Sequence, residues 1–267
     1  MGDQKLISID LRADFAFFKK PDYNDGLLLS YNIMHKPALL GILGAIIGLA
    51  GYQKKGELPE YYQKLKDLPV GVEPLGAEKG NFQKTSVKYT NTVGYANDDG
   101  NLIVDETMLI KPCYRCYLLL DTAISEHALL YENLSRGYAE FIPYLGKNEF
   151  QASWMDSGGE NTFREYIFLP RANPERDYKI KTLFRKTVVV NDSTDTESVD
   201  TYSPYKLALT AETFVYFERL PFSFVNHPVM IQYLMESYAY SNLTIKKEVV
   251  LEGLYFIKEL EAYVQLA

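Results

Sequence analysis

The sequence predicts an α+β fold, and three observations carry that prediction. Residues 7–17 alternate between apolar and polar positions, which is typical of a strand with one buried face. An apolar run that begins at Pro37 has the composition of a buried helix. Further strand-like segments and a second helix then alternate along the chain, so both element types belong to one layered domain.

The first predicted strand has its apolar residues at odd positions. These are Ile7, Ile9, Leu11, Ala13, Phe15 and Phe17. Successive side chains of a strand point to opposite faces, so Arg12 falls on the polar face. Residues 19–30 are rich in Pro, Asn, Asp and Gly, which predicts a loop.

The apolar run of residues 37–52 is too short to cross a bilayer as a helix. Its ~16 residues would span roughly 24 Å against a hydrocarbon core of roughly 30 Å. Gly41, Gly44 and Gly48 fall on one side of this helix, and each costs about 1 kcal/mol relative to alanine. We therefore expect these glycines to permit a close approach to a sheet.

Residues 68–75 predict a second strand, and residues 85–96 and 102–111 predict a hairpin. The Asp99-Gly100 pair in the connecting loop is a strong hairpin signal. The first arm of this hairpin is polar on both faces, so it cannot lie flat on a core. The pattern predicts an arm over about residues 85–111, which is either solvated or seated against a partner.

Residues 114–121 and 138–145 predict two more strands, with a helix between them that Ser125 can cap and Gly137 can end. The order of elements is then a βαββαβ unit, the ferredoxin-like arrangement shared with RNA-recognition modules. That arrangement places both helices on one face of the sheet. We expect Arg12 and Arg115 to point toward the other, open face.

Beyond about residue 150 the pattern weakens, and we predict a first domain over residues 1–150 and a smaller β-rich part over residues 151–267. The segments that look extended are residues 164–170, 178–190, 214–218, 238–250 and 253–264. Residues 191–201 are acidic and poor in apolar side chains, which predicts a mobile loop.

Composition restricts the classes of function. The chain has 28 Lys and Arg against 35 Asp and Glu, which argues against a protein that slides freely on nucleic acid but permits a local basic groove. Two cysteines imply no disulfide framework and fit a reducing cytoplasm. The first residues lack a basic segment followed by an apolar one, so we expect no secretory signal.

No arrangement of residues in the sequence predicts catalysis, a metal site or a cofactor. Cys113 and Cys116 form a lone C-x-x-C, and residues three apart in a strand face opposite ways. The three histidines stand apart, and Ser/His/Asp or Gly-rich phosphate-binding patterns are missing from the sequence. His35 precedes Lys36 at a helix start, where anions are favoured, although a structural role for His35 is the alternative.

Two further stretches carry polar groups that suit RNA. Residues 171–186 form the most basic part of the chain, as either a solvated face or a contact with an RNA backbone. Gly146 permits a tight turn after the strand that ends near Tyr144, and Lys147 and Asn148 offer donors for a phosphate or a base edge. A plain polar turn is the alternative there.

Three segments of the chain, taken in their order and spacing, resemble the Cas-five family of CRISPR-associated proteins. Within that family the resemblance is to the type I-B members. The three segments read ISIDLRADFAFFKK, KPALLGILGAIIGL and FIPYLGKNEF. The resemblance covers roughly the first 150 residues. It implies a fold of the RAMP superfamily, in which the ferredoxin-like domain carries a long β-hairpin thumb, here at about residues 85–111.

The resemblance also implies a function. The chain would be a non-catalytic subunit of a Cascade-like surveillance complex that caps the 5′ handle of the crRNA, supporting defence against foreign DNA. Its neighbours would be the large subunit and the first backbone subunit, with target DNA reached only through the assembled complex. The implied RNA-binding residues are Arg12, His35, Lys36, Lys84, Lys88, Arg115, Tyr144, Lys147 and Asn148.

Two other functions remain open at this point. His35 and Lys36 could supply acid–base groups for a metal-independent endoribonuclease that processes CRISPR repeat RNA. The 22 Tyr and 14 Phe residues favour, as a third reading, an α+β protein that binds a small molecule.

Overall fold

The computed structural model describes residues 3–22, 26–90, 103–170, 174–185, 212–226, 230–249 and 251–267. Its helices are Lys36–Ile46 (α1), Glu60–Leu65 (α2) and Ser125–Arg136 (α3). Its strands are Gln4–Arg12 (β1), Phe15–Ala16 (β2), Phe18–Lys19 (β3), Leu27–Leu28 (β4), Ser30–Tyr31 (β5), Val70–Pro74 (β6), Lys84–Thr90 (β7), Ile103–Ile110 (β8), Cys113–Asp121 (β9), Arg164–Tyr166 (β10), Phe168–Pro170 (β11), Phe184–Arg185 (β12), Val215–Asn226 (β13), Ile231–Ser241 (β14), Leu254–Ile257 (β15) and Ala262–Gln265 (β16). The predicted α+β class is confirmed.

The central sheet has four antiparallel strands in the order β10-β1-β9-β6. Helices α1 and α2 lie in the connection from β1 to β6, and α3 lies in the connection from β9 to β10. The odd positions of β1 are buried in the main core together with apolar residues of α1 and α3. The period-two alternation of β1 thus selects the sheet face that the helices cover.

The predicted strand at residues 138–145 is wrong. The backbone N–H groups of Glu140 and Phe141 instead donate to the carbonyls of Ile46 and Ala45, each at 3.0 Å. The last carbonyls of α1 have no partner within the helix, so this segment satisfies them rather than joining the sheet. The fourth strand of the central sheet is β10, whose Tyr166 lies opposite Leu6 of β1.

The second face of the central sheet is covered, so the expectation of an open face is wrong there. Leu6 and Tyr117 on this face pack with Ile257, Val264 and Leu266 from the C-terminal hairpin β15–β16. Leu6, Tyr117, Ile257 and Val264 are each 0% exposed. The even positions of β1 therefore line a second, smaller core.

Both predicted helices are present, and their N-caps are residues that the sequence did not indicate as caps. His35 is the N-cap of α1, and Gly44 faces α2, where an added Cβ would clash with Tyr61. Gly44 thus serves a helix–helix contact, and the expected contact with a sheet is wrong at this position. Gly48 lies beyond the end of α1 and faces Glu140. The N-cap of α3 is Ile124 rather than Ser125, while Gly137 ends the helix in the left-handed conformation, as predicted.

The predicted hairpin is present as β7 and β8, which pair from Lys84 opposite Leu109 to Thr90 opposite Ile103. Its connecting residues 91–102 lie outside the described part of the chain. At the base, β8 also pairs with β2 and, in parallel, with β4 from the predicted loop of residues 19–30. The base of the arm is therefore anchored in a sheet of its own.

The C-terminal part is rich in strands, as predicted. The extended segments at residues 164–170, 214–218 and 253–264 match β10 with β11, the start of β13, and β15 with β16. The predicted extended segment at residues 238–250 ends with β14 at Ser241. β13 and β14 pair with each other from Val215 opposite Ser241 to Asn226 opposite Ile231, with a bulge between Pro221 and Ser223, and this pairing was not predicted. Residues 191–201 lie outside the described part.

Residues beyond 150 also reach the main core. Leu183 and Leu220 are buried in it, and Tyr216 and Phe224 pack against it. The division at residue 150 stays a prediction. None of the helices in the described ranges combines the length and apolarity that a membrane crossing needs.

Candidate functional site

A cleft runs along α1 and consists of two adjoining cavities. One, of about 490 Å³, lies at the start of α1 beside Lys147 and the β13–β14 hairpin. The other, of about 630 Å³, follows α1 toward residues 141–146. Both are lined by Phe18, Pro37, Ala38, Tyr52, Tyr61 and Gly146.

Aromatic rings form the walls of the first cavity. Phe224 and Tyr233 stack with their centroids 5.2 Å apart and their planes at 22°. Tyr52 meets Phe224 and Tyr61 edge-on, at 6.4 and 6.5 Å. Burial raises the pKa of Tyr233 to about 12, so its hydroxyl stays protonated at neutral pH. Such rings offer flat, sequence-tolerant platforms for nucleobases.

The second cavity is apolar and lined by no charged side chain among the described residues. Several large side chains on its rim face solvent: Tyr52 is 59% exposed, Phe141 54%, Ile142 67% and Tyr144 42%. An exposed apolar patch of this kind is typical of a surface that binds a protein or a ligand.

Lys147 supplies a cation at the other end of the cleft, where Lys19 lines the same cavity. The Nζ of Lys147 forms an ion pair with Glu106 of β8 and lies 4.6 Å from the ring centroid of Tyr89 and 5.2 Å from that of Phe17. Lys147 therefore joins the turn after Gly146 to the β7–β8 arm. The positive charge of Lys147 is therefore already balanced by Glu106 in the free chain.

The turn that presents Lys147 is fixed by its backbone. Gly146 has a φ of +89°, and a Cβ there would clash with the carbonyl oxygen of Phe17. The N–H of Phe17 donates to the carbonyl of Leu145 at 3.1 Å, and the N–H of Leu145 donates to Phe150 at 2.9 Å. Glycine at position 146 is thus required by a close approach between two segments.

His35 lies at the cleft but serves α1. Its Nδ1 accepts a hydrogen bond from the N–H of Ala38 at 3.3 Å. The rings of Phe18, Tyr31 and Tyr233 surround it at 6.1, 5.5 and 5.6 Å. Burial lowers the pKa of His35 to about 3, so the imidazole is neutral at physiological pH.

Lys36 turns away from the cleft. Its Nζ donates to the carbonyl of Ala267 at 2.8 Å and lies 5.4 Å from the ring centroid of Phe222. Burial lowers the pKa of Lys36 to about 8, with Arg185 acting in the same direction and Asp67 against it. His35 and Lys36 thus have separate structural partners although they are adjacent in sequence.

The other predicted basic residues lie apart from the cleft. Arg115 makes two hydrogen bonds to Asp10 on the covered sheet face, which raise its pKa, and the buried Nε of Arg12 has no hydrogen-bond partner. Lys84 and Lys88 are exposed on β7, and the Nζ of Lys88 lies 3.7 Å from Asp105.

The structure therefore brings His35, Tyr144 and Lys147 to the cleft, with Asn148 exposed on the adjoining turn. Sequence reasoning missed other wall residues, among them Tyr52, Tyr61, Glu106, Phe224 and Tyr233. They come from separate elements, so no local spacing links them. The high aromatic content was the one available signal.

Residues 174–185, the described part of the basic stretch, border a different groove, of about 730 Å³. Arg176, Lys179 and Lys181 are exposed along it, but Glu175 and Glu261 line it as well. The opposing charges favour a solvated face over a phosphate track.

Within the described ranges, no group of three or more His, Cys, Asp or Glu side chains could hold a metal ion. Cys113 and Cys116 are free thiols on opposite faces of β9, and burial raises the pKa of both. These thiols are therefore poor nucleophiles at neutral pH.

The chain matches no protein-family profile and no curated protein sequence. Among solved structures, a chain of a "CRISPR RNA-guided surveillance complex" is similar at 11% identity and a TM-score of 0.47, covering 91% of this chain and 92% of that one. A CRISPR protein from Archaeoglobus fulgidus is similar at 12% identity and a TM-score of 0.45, covering 97% of both chains. A chain of the type III-B Cmr-beta complex bound to cognate target RNA and AMPPnP is similar at 10% identity and a TM-score of 0.46, covering 98% of this chain and 99% of that one. These likenesses are too weak to establish a family.

Proposed function

We propose that this chain is a non-catalytic subunit of a Cascade-like CRISPR surveillance complex, where it holds and caps the 5′ handle of the crRNA. One observation carries the proposal: the three segments that resemble the Cas-five family converge on a single cleft. Phe17 and Phe18 come from the first segment, α1 from the second, and Tyr144 to Lys147 from the third. Segments far apart in sequence thus line one binding surface.

The chemistry of the cleft supports single-stranded RNA as its ligand. Stacked rings such as Phe224 and Tyr233 accept unpaired bases, and Lys147 lies where a backbone phosphate could follow. A duplex would present its bases edge-on and could not stack against these rings. A splayed, single-stranded handle therefore fits better than a helix.

The fold supports the same proposal at a coarser level. The antiparallel order β10-β1-β9-β6, with helical connections after β1 and β9, is compatible with a ferredoxin-like domain of the RAMP type. The β7–β8 hairpin corresponds to the thumb that the resemblance implies. We propose the type I-B flavour on the sequence segments alone.

The apolar part of the cleft supports a protein neighbour in addition to RNA. Phe141 and Ile142 are exposed beside it, and phosphate has no charged partner there. We assign this part to the large subunit or the first backbone subunit. Target DNA would then be reached only through the assembled complex, in the cytoplasm.

The environment of His35 supports a non-catalytic role. Its Nδ1 is occupied by the N–H of Ala38, and its side chain is enclosed by three aromatic rings. Lys36 is directed toward Ala267, away from any RNA in the cleft. A repeat-processing endoribonuclease would need both groups at one phosphate, so the geometry does not favour that alternative.

Site-directed cross-linking tests the proposal. The chain is co-purified with its neighbouring subunits and a guide RNA that carries 4-thiouridine in the 5′ handle. We expect cross-links to peptides that contain Tyr52, Tyr61 or Tyr233. Cross-links confined to residues 174–185, or a handle that does not co-purify, would overturn it.

A separate incubation tests catalysis. The purified chain is mixed with CRISPR repeat RNA in the presence of EDTA, and we expect the RNA to remain intact. Cleavage that His35→Asn abolishes would replace the proposal with the endoribonuclease.

A further inference from the structure

The ammonium of Lys147 is held from several sides. It pairs with Glu106, lies 3.9 Å from the carboxylate of Glu149, and sits near the rings of Tyr89 and Phe17 at 4.6 and 5.2 Å. The side chains of Lys147 and Glu106 are only 22% and 7% exposed. Partly buried pairs of this kind are weakly screened by salt, unlike ion pairs on an open surface.

Both ends of the pair are attached to fixed backbone. Gly146 is pressed against Phe17, which sets the position of the turn that carries Lys147. Glu106 lies in β8 opposite Val87 of β7 on one side and Leu28 of β4 on the other. The pair is therefore built into the fold and does not depend on a mobile loop.

The same two side chains line the first cavity of the cleft. An anion that enters there meets Lys147, whose charge is already balanced, together with Glu106, the carboxylate that balances it. Lys19 lines the same cavity as a second cation. The carboxylate of Glu106 repels the anion and competes with it for the ammonium of Lys147.

We propose that Glu106 is a built-in competitor for anionic ligands at Lys147, an autoinhibitory contact that a backbone phosphate must displace. The inference rests on the proposed function for the identity of that phosphate, while the contact itself follows from the geometry. A phosphate takes the ammonium when the Lys147 side chain turns into the cavity. Glu106 is then left buried without its partner, which opposes the exchange.

This opposition makes the site selective. A free phosphate or a loosely bound strand offers one contact, which does not offset the lost ion pair. An RNA whose bases also stack on Phe224 and Tyr233 gains several contacts at once. Glu106 would thus suppress binding of single-stranded RNA that engages the cation but leaves the aromatic walls empty.

The test compares four forms of the full chain: the wild type, Glu106→Gln, Lys147→Met and the double variant. The ligands are a handle RNA oligonucleotide, an unrelated oligonucleotide of equal length, and inorganic tripolyphosphate. We expect Glu106→Gln to bind the unrelated oligonucleotide and tripolyphosphate about tenfold more tightly, with a salt slope steeper by about one charge. The double variant should fall back to the level of Lys147→Met.

Asp105→Asn is the matched control, because Asp105 is the neighbouring acid of β8 and its nearest cation is Lys88. It should leave binding to all three ligands unchanged. Glu106→Asp serves as a second variant in case Glu106→Gln does not fold. Its shortened carboxylate should give a smaller gain in the same direction.

The outcomes separate the inference from the proposed function. Unchanged or weaker tripolyphosphate binding in both Glu106 variants overturns the inference, whatever the RNA results are. A gain for tripolyphosphate without preferential binding of handle RNA by any form supports the inference and overturns the proposed function.

Discussion

The guanidinium of Arg115 grips the carboxylate of Asp10 across β1 and β9, with its Nε 2.7 Å from Oδ1 and its Nη2 2.9 Å from Oδ2. The two side chains are 17% and 9% exposed. Arg115 was predicted to bind RNA, but two of its donor groups are occupied by this bidentate contact with Asp10. Arg115 therefore acts in stabilising the sheet in the free chain.

Replacing Arg115 with methionine should lower the free energy of unfolding by about 2–4 kcal/mol, because Asp10 is left largely buried without its partner. Urea denaturation measures the change. The Asp10→Asn/Arg115→Met double variant should be less destabilised than Arg115→Met. If Arg115→Met instead kept its stability and lost affinity for handle RNA, the assignment of Arg115 to the sheet would be wrong.

His35 should make stability depend on pH. Its pKa is lowered to about 3 in the folded chain, whereas an unfolded histidine has a pKa of about 6.5. The unfolded state therefore binds the extra proton first as pH falls. Stability from this group is complete above about pH 6.5 and is lost progressively toward pH 3.

His35→Asn isolates that contribution, since asparagine keeps the N-cap and does not titrate. Between pH 7 and pH 5, the wild type should lose about 2 kcal/mol more than His35→Asn. Thermal or urea unfolding at both pH values gives the difference. Parallel pH profiles for the two proteins would show that folding does not lower the pKa of His35.

Gly146→Ala should lower stability more than the same change at Gly159. Both glycines have positive φ, at +89° and +84°, so both substitutions carry backbone strain of about 1 kcal/mol. At Gly146 the new Cβ also meets the carbonyl of Phe17, whereas nothing lies within 4 Å at Gly159. We expect losses of roughly 3 and roughly 1 kcal/mol in urea denaturation. Equal losses would mean that the turn can move away from Phe17.

Tyr52→Ala should weaken binding of handle RNA by about 1–3 kcal/mol without changing its salt dependence, because Tyr52 lines both cavities of the cleft, so stacking is lost and no charge is removed. Tyr138→Ala is the control: Tyr138 is 52% exposed, bonds to Glu140 and lies outside the cleft lining. Fluorescence anisotropy at several salt concentrations measures both quantities. An equal effect of the two substitutions would remove Tyr52 from the binding surface.

Local patterns predicted the elements that local physics determines. The alternation of β1 and the glycine at the end of α3 depend on neighbouring residues. The glycine was predicted correctly, and so was the alternation as far as Arg12, where β1 ends; Phe15, predicted on the buried face, is 39% exposed. The segment at residues 138–145 has strand-like composition, yet Glu140 and Phe141 satisfy the end of α1. That competing use of their backbone comes from a helix almost a hundred residues earlier, so no window of sequence could reveal it.

The candidate site follows the same division. The turn at Gly146 and Lys147 was predicted because its residues are adjacent in sequence. Glu106, which balances the charge of Lys147, lies 41 residues away, and Phe224 and Tyr233 come from strands β13 and β14, whose pairing was not predicted. Charge on a single residue can be read from a sequence, whereas its partner depends on how the elements pack.

The strand β10 has a consequence for how the chain is made. The hydroxyls of Ser8 and Tyr166 meet at 2.8 Å although they lie 158 residues apart. During synthesis, β1 leaves the ribosome long before the strand that covers its edge, and pairings between such distant segments form slowly. Nascent chains should therefore expose an unpaired edge of β1 for seconds, a period in which a chaperone or an assembling neighbour could protect it.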